Sequence, residues 1–272
     1  MVAIDGKALR RALNDGASIP YIVSAWASEN GLVLGQVKVD DKSNEITAIP
    51  ELLRVLELSG CIVTIDSMGC QKEIAARIAD KNADYVLALK GNHATAHEEI
   101  QEFFSDAVAP CATQAAPTTP GTIDFFQTVE KDHGRIETRR YWQSSDIEWF
   151  ADKPLWKKLH SVGMVESLRC IKGKTTIERR YYLCSLPLGA KTFGKAVRGH
   201  WGVENPLHWT LDVTFREDQS RARSKNAAQN LATLRRLALN LAKANPSKEN
   251  SIRGKRLRAA LDTEFLQCLL GF

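Results

Sequence analysis

The sequence lacks the paired cysteines on which a zinc site or a disulfide framework is built. Its six cysteines are scattered over 272 residues, and no two of them form a Cys-x-x-Cys pair. Small secreted domains and structural zinc sites both need closely spaced cysteines, so this spacing argues against either class. It favours a protein that keeps its thiols reduced in the cytosol.

Long hydrophobic runs are missing as well. No apolar segment approaches the roughly 18 residues that a membrane-spanning helix requires. The first residues, Met-Val-Ala-Ile-Asp, contain no basic region leading into an apolar one, which a secretion signal would have. We therefore expect a soluble intracellular protein with no membrane partner. With 44% hydrophobic residues, the chain is still able to bury a substantial core.

Positive charge is scarce in the first half of the chain and abundant in the second. Residues 1–120 contain 10 Lys and Arg against 16 Asp and Glu, a net charge of −6. Residues 121–272 contain 27 against 16, a net charge of +11, which gives the +5 of the whole chain. An acidic half joined to a basic half suggests carboxylates that hold metal beside a surface that binds phosphate. A basic, solvated face with no partner is the alternative.

The stretch from Cys61 to Cys70 carries the clearest local signal. Its first five residues form a short β-rich run that predicts a strand buried on both faces, and the run ends at Asp66. Residues 71–82 then repeat apolar positions at helical spacing. Asp66 is thus predicted at the carboxyl end of an interior strand, where open α/β sheets place their sites. The alternative is that Asp66 only caps the helix that follows.

The predicted elements of the first hundred residues follow the order β-β-β-α-β-α-β. The first strand is expected to end on Asp5, and Glu29-Asn30-Gly31 predicts a hairpin between two β-rich runs. Residues 45–58 predict an amphipathic helix whose regular part begins at Pro50. A fifth strand ends just before Lys90. The fold class is therefore α/β, with three antiparallel strands and two further strands added through helical crossovers.

The second half is predicted to hold a β-rich insertion. Residues 107–122 are rich in Ala, Pro and Thr, which predicts a flexible loop. Two similar basic strands, at 136–142 and 177–183, alternate apolar and charged residues and are expected to pair with each other. The predicted parts are a first core part (1–106), the loop and insertion (107–190), a second, helical core part (191–245) and a basic tail (246–272).

Helical patterns dominate from residue 191 onward. Pro206 is expected to interrupt the first helix just after Glu204, because proline disfavours helix at the residue before it. Residues 227–242 form the clearest helix of the chain, with an apolar stripe that predicts its packing face. That stripe consists of Leu231, Leu234, Ala238 and Leu241.

Three acidic residues stand out in this arrangement, namely Asp5, Asp66 and Glu204. The first and fourth strands of such a sheet can be neighbours, so Asp5 and Asp66 are able to converge. Carboxylate oxygens suit a pair of Mg²⁺ or Mn²⁺ ions about 3.5–4 Å apart, which flank a scissile phosphate. One ion would activate the attacking hydroxyl and the other would stabilise the leaving oxygen. Spacing alone is weak evidence, since any protein of this size has scattered acids.

Six stretches carry a more specific signal than the spacing of the acids. They lie at 4–10 (IDGKALR), 42–50 (KSNEITAIP), 64–72 (TIDSMGCQK), 84–92 (DYVLALKGN), 133–139 (HGRIETR) and 198–218 (RGHWGVENPLHWTLDVTFRED). In this order they resemble motifs of the ISAs1 family of transposases, which is related to the IS4 group. The resemblance covers about residues 2–245, nearly the whole chain.

This resemblance implies an RNase H-like mixed sheet, with the β-rich insertion before the last helical part, and a DDE triad. Matched motif by motif, Asp5 is the first acid, Asp66 the second and Glu204 the third. The triad would bind two ions of Mg²⁺ or Mn²⁺.

The IS4 group also has a Tyr-x₂-Arg-x₃-Glu-x₆-Lys signature around its glutamate, from which this chain departs. The arginine slot holds His200 and the lysine slot holds Leu211. The candidates for binding the phosphate backbone near the third acid are therefore Lys90, Arg198 and His200.

Further DNA contacts are predicted from charge and aromatic character. Arginines of the two basic strands are expected to neutralise phosphates, although a solvated strand face is the alternative. The His200–Trp201 and His208–Trp209 pairs are candidates for stacking on bases, with a core position as the alternative. The remaining predicted contacts are Arg139, Arg140, Arg179, Arg180, Arg235 and Arg236.

The resemblance implies a DDE transposase that nicks DNA at the ends of an insertion element and joins the freed 3′-hydroxyl to target DNA. Its expected partners are both DNAs and further copies of itself, as a homodimer or higher oligomer in the synaptic complex. It would act in the bacterial cytoplasm, at the nucleoid when bound to DNA. A nuclease of the same fold without strand transfer and an inactive DNA-binding remnant remain as alternatives.

ISAs1 members carry a segment ahead of the first acid, whereas this chain begins inside its first predicted strand. We therefore expect an internal start codon or the loss of an upstream segment. If that segment recognises element ends, targeting is expected to be reduced.

Overall fold

The computed structural model describes residues 1–12, 19–39, 45–108, 122–132, 135–171, 173–247 and 251–272. Most of the predicted loop at 107–122 and the first two residues of the 133–139 motif lie outside these ranges. Within them, no helix has both the length and the apolar character needed to cross a bilayer.

Three strands come first and are followed by alternating helices and strands, after which a run of strands precedes a run of helices. The strands are β1 (Val2–Ala8), β2 (Tyr21–Ala27), β3 (Leu32–Lys38), β4 (Ile62–Ile65), β5 (Asp84–Leu89), β6 (Ile123–Asp132), β7 (Arg135–Ser144), β8 (Ser161–Ile171) and β9 (Lys174–Cys184). The helices are α1 (Glu45–Val55), α2 (Lys72–Asp80), α3 (Ala94–Val108), α4 (Ala190–Gly202), α5 (Thr210–Val213), α6 (Ala227–Ala244), α7 (Ile252–Leu261) and α8 (Thr263–Leu270). The predicted order β-β-β-α-β-α-β is confirmed up to β5.

The chain divides into two compact units. The first unit contains Met1 and residues 57–199, and the second contains residues 2–56 and 200–272. Asp66 therefore belongs to the first unit, whereas Asp5 and Glu204 both belong to the second.

The first unit is built on a large mixed sheet. Its strands follow the order β4-β5-β9-β8-β7-β6, in which β4 and β5 are parallel and all other neighbours are antiparallel. The predicted pairing between the two similar basic strands, now β7 and β9, is wrong. Each of them pairs with β8, which lies between them, so that Tyr141 and Arg180 are both opposite Val165.

A cluster of aromatic side chains packs α4 onto this sheet. Phe193 of α4 contacts Tyr141 and Tyr182 edge to face, with ring centroids 6.4 and 5.4 Å away. Gly163 lies under the same ring, and a Cβ atom at this position would be 2.4 Å from Cζ of Phe193. The strand therefore needs glycine at this point for the helix to pack so closely.

The second unit starts from an antiparallel meander of β1, β2 and β3. The predicted hairpin between β2 and β3 is confirmed, and Gly31 has the positive φ of +66° that its turn needs. α1 begins at Glu45 and contains Pro50 in its interior, so the prediction that the regular helix begins at Pro50 is wrong. A core cluster joins this sheet to the later helices through Trp26, Leu207 and other apolar residues.

Pro206 does not interrupt the helical path as predicted. Residues 203–209 form a π-helical turn that continues from α4 directly into α5. A proline removes one backbone donor from an α-helix and clashes with the preceding turn, so a widened turn relieves both constraints. Glu204 lies on this widened turn, and π-helical turns often occur at functional sites.

The predicted packing face of α6 is also wrong. Leu234 is 58% exposed, whereas Arg236, on the opposite side of the helix, is 3% exposed. Arg236 donates hydrogen bonds to Glu217 (2.9 Å) and to the hydroxyl of Ser24 (3.1 Å). The buried side of α6 therefore combines apolar residues with one arginine that pairs with interior polar groups, and most of the predicted stripe is exposed.

Gly163→Ala tests the close packing of α4. We expect the free energy of unfolding in urea to fall by about 1–3 kcal/mol, because an aromatic ring fixed by two neighbours cannot move away cheaply. Gly91→Ala is the matched control, since a Cβ atom there meets nothing within 4 Å. Equal losses of stability in the two variants would contradict this account of Gly163.

Candidate active site

Asp66 follows the last residue of β4 and organises the turn behind it. Its Oδ1 accepts hydrogen bonds from the backbone N–H groups of Met68 (3.1 Å) and Gly69 (3.4 Å). The capping alternative is wrong, because α2 has Gln71 at its N-cap and no side chain caps it. Oδ2 of Asp66 makes no hydrogen bond within the described part of the chain. One oxygen is thus used to orient the carboxylate and the other is available to a ligand.

The end of β5 supports this turn on both sides. Asn92 donates from Nδ2 to the carbonyl oxygen of Ser67 (2.8 Å). His93 lies 2.6 Å from the carbonyl oxygen of Cys70, so its Nε2 must carry the proton and donate. The ring of His93 also packs edge to face against Trp156. The sequence places Asn92 in a family motif, but it indicates no role for Asn92 or for His93.

Asp5 lies in the middle of β1, not at its end as predicted. It is opposite Ser24 of β2, and alternation along the strand places it on the same face as Lys7. Its Oδ2 is 3.7 Å from Nδ1 of His208, which lies on the π-helical turn. The same turn carries Glu204, an exposed residue. The second unit therefore brings the strand with Asp5 and the turn with Glu204 into one region.

His208 is a neutral imidazole in this region. Burial, followed by the charges of Lys7 and Arg236, lowers the pKa of His208 from 6.5 to about 3. Its Nε2 is buried and has no hydrogen-bond partner among the described residues. Of the His208–Trp209 pair, a candidate for stacking on bases or for a core position, only Trp209 is exposed, at 60%.

Lys7, on the same face of β1 as Asp5, is the centre of a network of ion pairs. The ammonium group of Lys7 is 2.8 Å from carboxylate oxygens of both Asp212 and Asp218, and 3.9 Å from Glu217. Glu217 is fully buried and is also bound by Arg236. These ion pairs connect β1 and α6 to the chain that follows the π-helical turn.

The predicted DNA contacts occupy very different environments. Lys90, Arg179 and Arg198 are exposed, and Arg140, Arg180, His200, Trp201 and Arg235 are half-buried. Arg139 and Arg236 are buried at 8% and 3% exposure, so neither reaches a phosphate in this conformation.

Glutamates offset the charge of the arginines in the first unit. Arg139 contacts Glu130 and Glu137 at 2.8 and 2.6 Å. Other pairs follow the same pattern, with O···N distances of 2.8 to 3.7 Å: Arg140–Glu166, Arg179–Glu166, Arg180–Glu178 and Arg198–Glu130.

The predicted acids carry the type of donor atom that a hard divalent cation prefers. The three predicted acids offer only carboxylate oxygens, which Mg²⁺ and Mn²⁺ prefer, and Asp66 has one oxygen to spare. In the part of the chain that the structure describes, no group of three or more His, Cys, Asp or Glu side chains is arranged to hold a metal ion.

The structure is that of an α/β protein with the predicted acidic residues in the middle of one strand, after a buried parallel strand and on a helical turn. A family model described as a transposase DDE domain matches residues 2–241. The chain therefore belongs to the family of transposases with a DDE domain, and such transposases act on DNA.

Three relatives from Escherichia coli are similar to nearly the whole chain, and two of them are named as transposases. YncI of strain O157:H7, which its name gives as a candidate transposase, is 41% identical over 99% of this chain and 68% of its own length. YhhI of strain K12, named as an H repeat-associated candidate transposase, is 36% identical over 99% of this chain and 71% of its own. YbfL of strain K12 is 37% identical over the same shares.

His93→Leu tests the support of the Asp66 turn. One hydrogen bond contributes about 1 kcal/mol, so we expect amide hydrogens of residues 67–71 to exchange about fivefold faster in hydrogen–deuterium exchange. His97→Leu is the matched control, since His97 packs on Tyr181 one turn further along. Unchanged exchange in His93→Leu, or equal acceleration in both variants, would show that His93 does not hold the turn.

His208→Asn tests the buried neutral imidazole. A histidine whose pKa is lower in the folded than in the unfolded protein stabilises the fold above the unfolded pKa of about 6.5, and this contribution is lost as the pH falls towards 3. Between pH 7 and 5, the wild type should lose about 2 kcal/mol more unfolding free energy than the variant. Urea denaturation at both pH values measures the difference. Identical pH dependence in the two proteins would place His208 in solvent.

Proposed function

We propose that this chain is a metal-dependent transposase that nicks DNA at the ends of an insertion element and transfers the freed 3′-hydroxyl to target DNA. The observation that carries the proposal is Asp66, placed directly after a buried parallel strand with one oxygen held by two backbone N–H groups. A carboxylate oriented in this way is suited to bind a cation without rearrangement. Membership of the DDE-domain family makes DNA the substrate.

Asp5, Asp66 and Glu204 are the proposed metal ligands, on an RNase H-like sheet. When bound, two Mg²⁺ or Mn²⁺ ions would supply Lewis-acid activation of the attacking hydroxyl and stabilisation of the leaving oxygen. The chain's own contribution is to orient the acids. Two backbone N–H groups orient Asp66, and the neutral ring of His208 lies against Asp5 without competing as a charged group.

The residues proposed to hold DNA near the acids are Lys90, Arg198, His200 and Trp201. Arg140, Arg179 and Arg180 remain in the proposal as weaker contacts, because their glutamate partners lie at 2.8 to 3.2 Å, closer than the 3.7 Å between Arg198 and Glu130. Arg235 remains in the proposal as a half-buried contact. Arg139 and Arg236 are not included, because they are buried.

We also assign the chain to the ISAs1 family, on the strength of the six motifs. In this assignment, residues 1–106 and 191–245 form the catalytic core, 107–190 contain the insertion and 246–272 form a tail. Synapsis of two element ends would require at least a homodimer.

Two other functions are compatible with the same fold. A nuclease would cut without rejoining, and incubation of cut ends with a supercoiled target would then yield no strand-transfer product. An inactive DNA-binding remnant would show salt-sensitive binding of DNA and no metal-dependent cleavage.

Asp66→Asn is the most direct test of the catalytic assignment. Its amide oxygen still accepts the two backbone hydrogen bonds, so the turn is kept while the charge is lost. Several kcal/mol of transition-state stabilisation disappear with a metal ligand, so Mg²⁺-dependent nicking of DNA that carries element ends should fall about a thousandfold. Asp80→Asn, an exposed acid paired with Lys157, is the matched control. Nicking that survives in Asp66→Asn would refute the triad.

A further inference from the structure

Positive charge is concentrated in one segment of the second unit. Residues 221–261, here called the C-terminal basic segment, contain 11 Lys and Arg and a single Asp or Glu, a net charge of +10. Since the whole chain has a net charge of +5, all other residues together carry −5. The excess positive charge of the protein therefore resides entirely in this segment.

Many of these basic side chains are exposed and lack an acidic neighbour. Arg221, Lys225 and Arg253 are exposed, and within the described residues none of them forms an ion pair. Arg256 is exposed as well, and its guanidinium group binds the carbonyl oxygen of Thr214 rather than a carboxylate. These charges are thus available to an external polyanion. The arginines of the β-sheet differ, because glutamates already bind them.

Other basic residues of the segment hold it in place. Lys255 is 5% exposed. It donates hydrogen bonds to the carbonyl oxygens of Ala242 (3.0 Å) and Asn245 (2.7 Å), and in this way caps the end of α6. A cation at the carboxyl end of a helix also interacts favourably with the helix dipole. α7 is therefore anchored to α6 by a buried charge, and the exposed cations are presented by an ordered surface.

Two basic residues, one before the segment and one within it, have strained backbone conformations. Arg216 and Lys225 have φ values of +52° and +46°, which side chains other than glycine rarely adopt. Such strain persists where the surrounding structure imposes it, often at functional sites. Lys225, one of the exposed cations, is thus held in a backbone conformation that its surroundings impose.

We infer that the C-terminal basic segment is a binding surface for the phosphate backbone of duplex DNA, apart from the contacts around the acids. The inference rests on the proposed function for the identity of the polyanion. Contacts to phosphate position a protein on DNA without reading its sequence, so this surface would hold DNA of any sequence. The C-terminal basic segment would contribute more to the free energy of DNA binding than the arginines of the β-sheet.

The test measures binding of a fluorescent random-sequence duplex by anisotropy over a series of KCl concentrations, with EDTA present so that no cleavage occurs. The variant Arg221→Gln, Lys225→Gln, Arg253→Gln removes three exposed cations. We expect its affinity at about 0.1 M salt to fall on the order of a hundredfold, and the slope of log K against log salt to become shallower by about 2 to 3.

Three further triple variants serve as controls. Arg54→Gln, Arg77→Gln, Lys157→Gln removes the same net charge from exposed residues that are paired with acids, and should bind nearly as the wild type does. Arg140→Gln, Arg179→Gln, Arg180→Gln tests the sheet and should lose less affinity than the basic-segment variant. Arg221→Lys, Lys225→Arg, Arg253→Lys keeps the charges and should retain affinity.

Each outcome bears on a different claim. If the wild type shows no salt-sensitive binding of duplex DNA, both the proposed function and this inference fail. If the wild type binds but the basic-segment variant binds equally well, or the sheet variant loses more affinity, only this inference is overturned. Urea denaturation of every variant shows that the fold is intact.

Discussion

The candidate site depends on how a negative charge is held at the end of a buried strand. Two backbone N–H groups bind one oxygen of Asp66, which orients the carboxylate and leaves the other oxygen for a ligand. Asn92 and His93 then bind carbonyl groups on either side of the turn, so that the end of β5 supports the end of β4. A carboxylate that is oriented before a ligand arrives needs little reorganisation to bind it.

Ion pairs stabilise a buried carboxylate in the interior of the second unit. A fully buried carboxylate such as Glu217 is costly unless it is paired and hydrogen-bonded. Arg236 supplies that pairing, and Lys7 extends the network to Asp212 and Asp218. Because Lys7 and Asp5 share one face of β1, the same network ties the strand with the first acid to the chain that follows Glu204. Within the second unit, polar packing thus holds β1 and α6 against the chain that follows the π-helical turn.

The sequence predicts features that depend on near neighbours and misses those that depend on distant ones. The hairpin at Gly31 and the strand, turn and helix around Asp66 follow from local backbone preferences, and both are present. Resemblance to a family supplied the acids, but not the burial of His208. The widened turn at Pro206 and the burial of Arg236 could not be predicted, because each depends on partners that only folding brings together. The similarity of β7 and β9 likewise gave no sign that β8 separates them.

The central claim is that Asp5, Asp66 and Glu204 bind the same divalent ions. Anomalous diffraction from crystals grown with Mn²⁺ tests it most directly, because the anomalous signal locates the ions independently of any assumed ligand. The account predicts Mn²⁺ peaks within about 2.0–2.3 Å of carboxylate oxygens of all three residues. Peaks at other side chains, with these three acids left without metal, would contradict it.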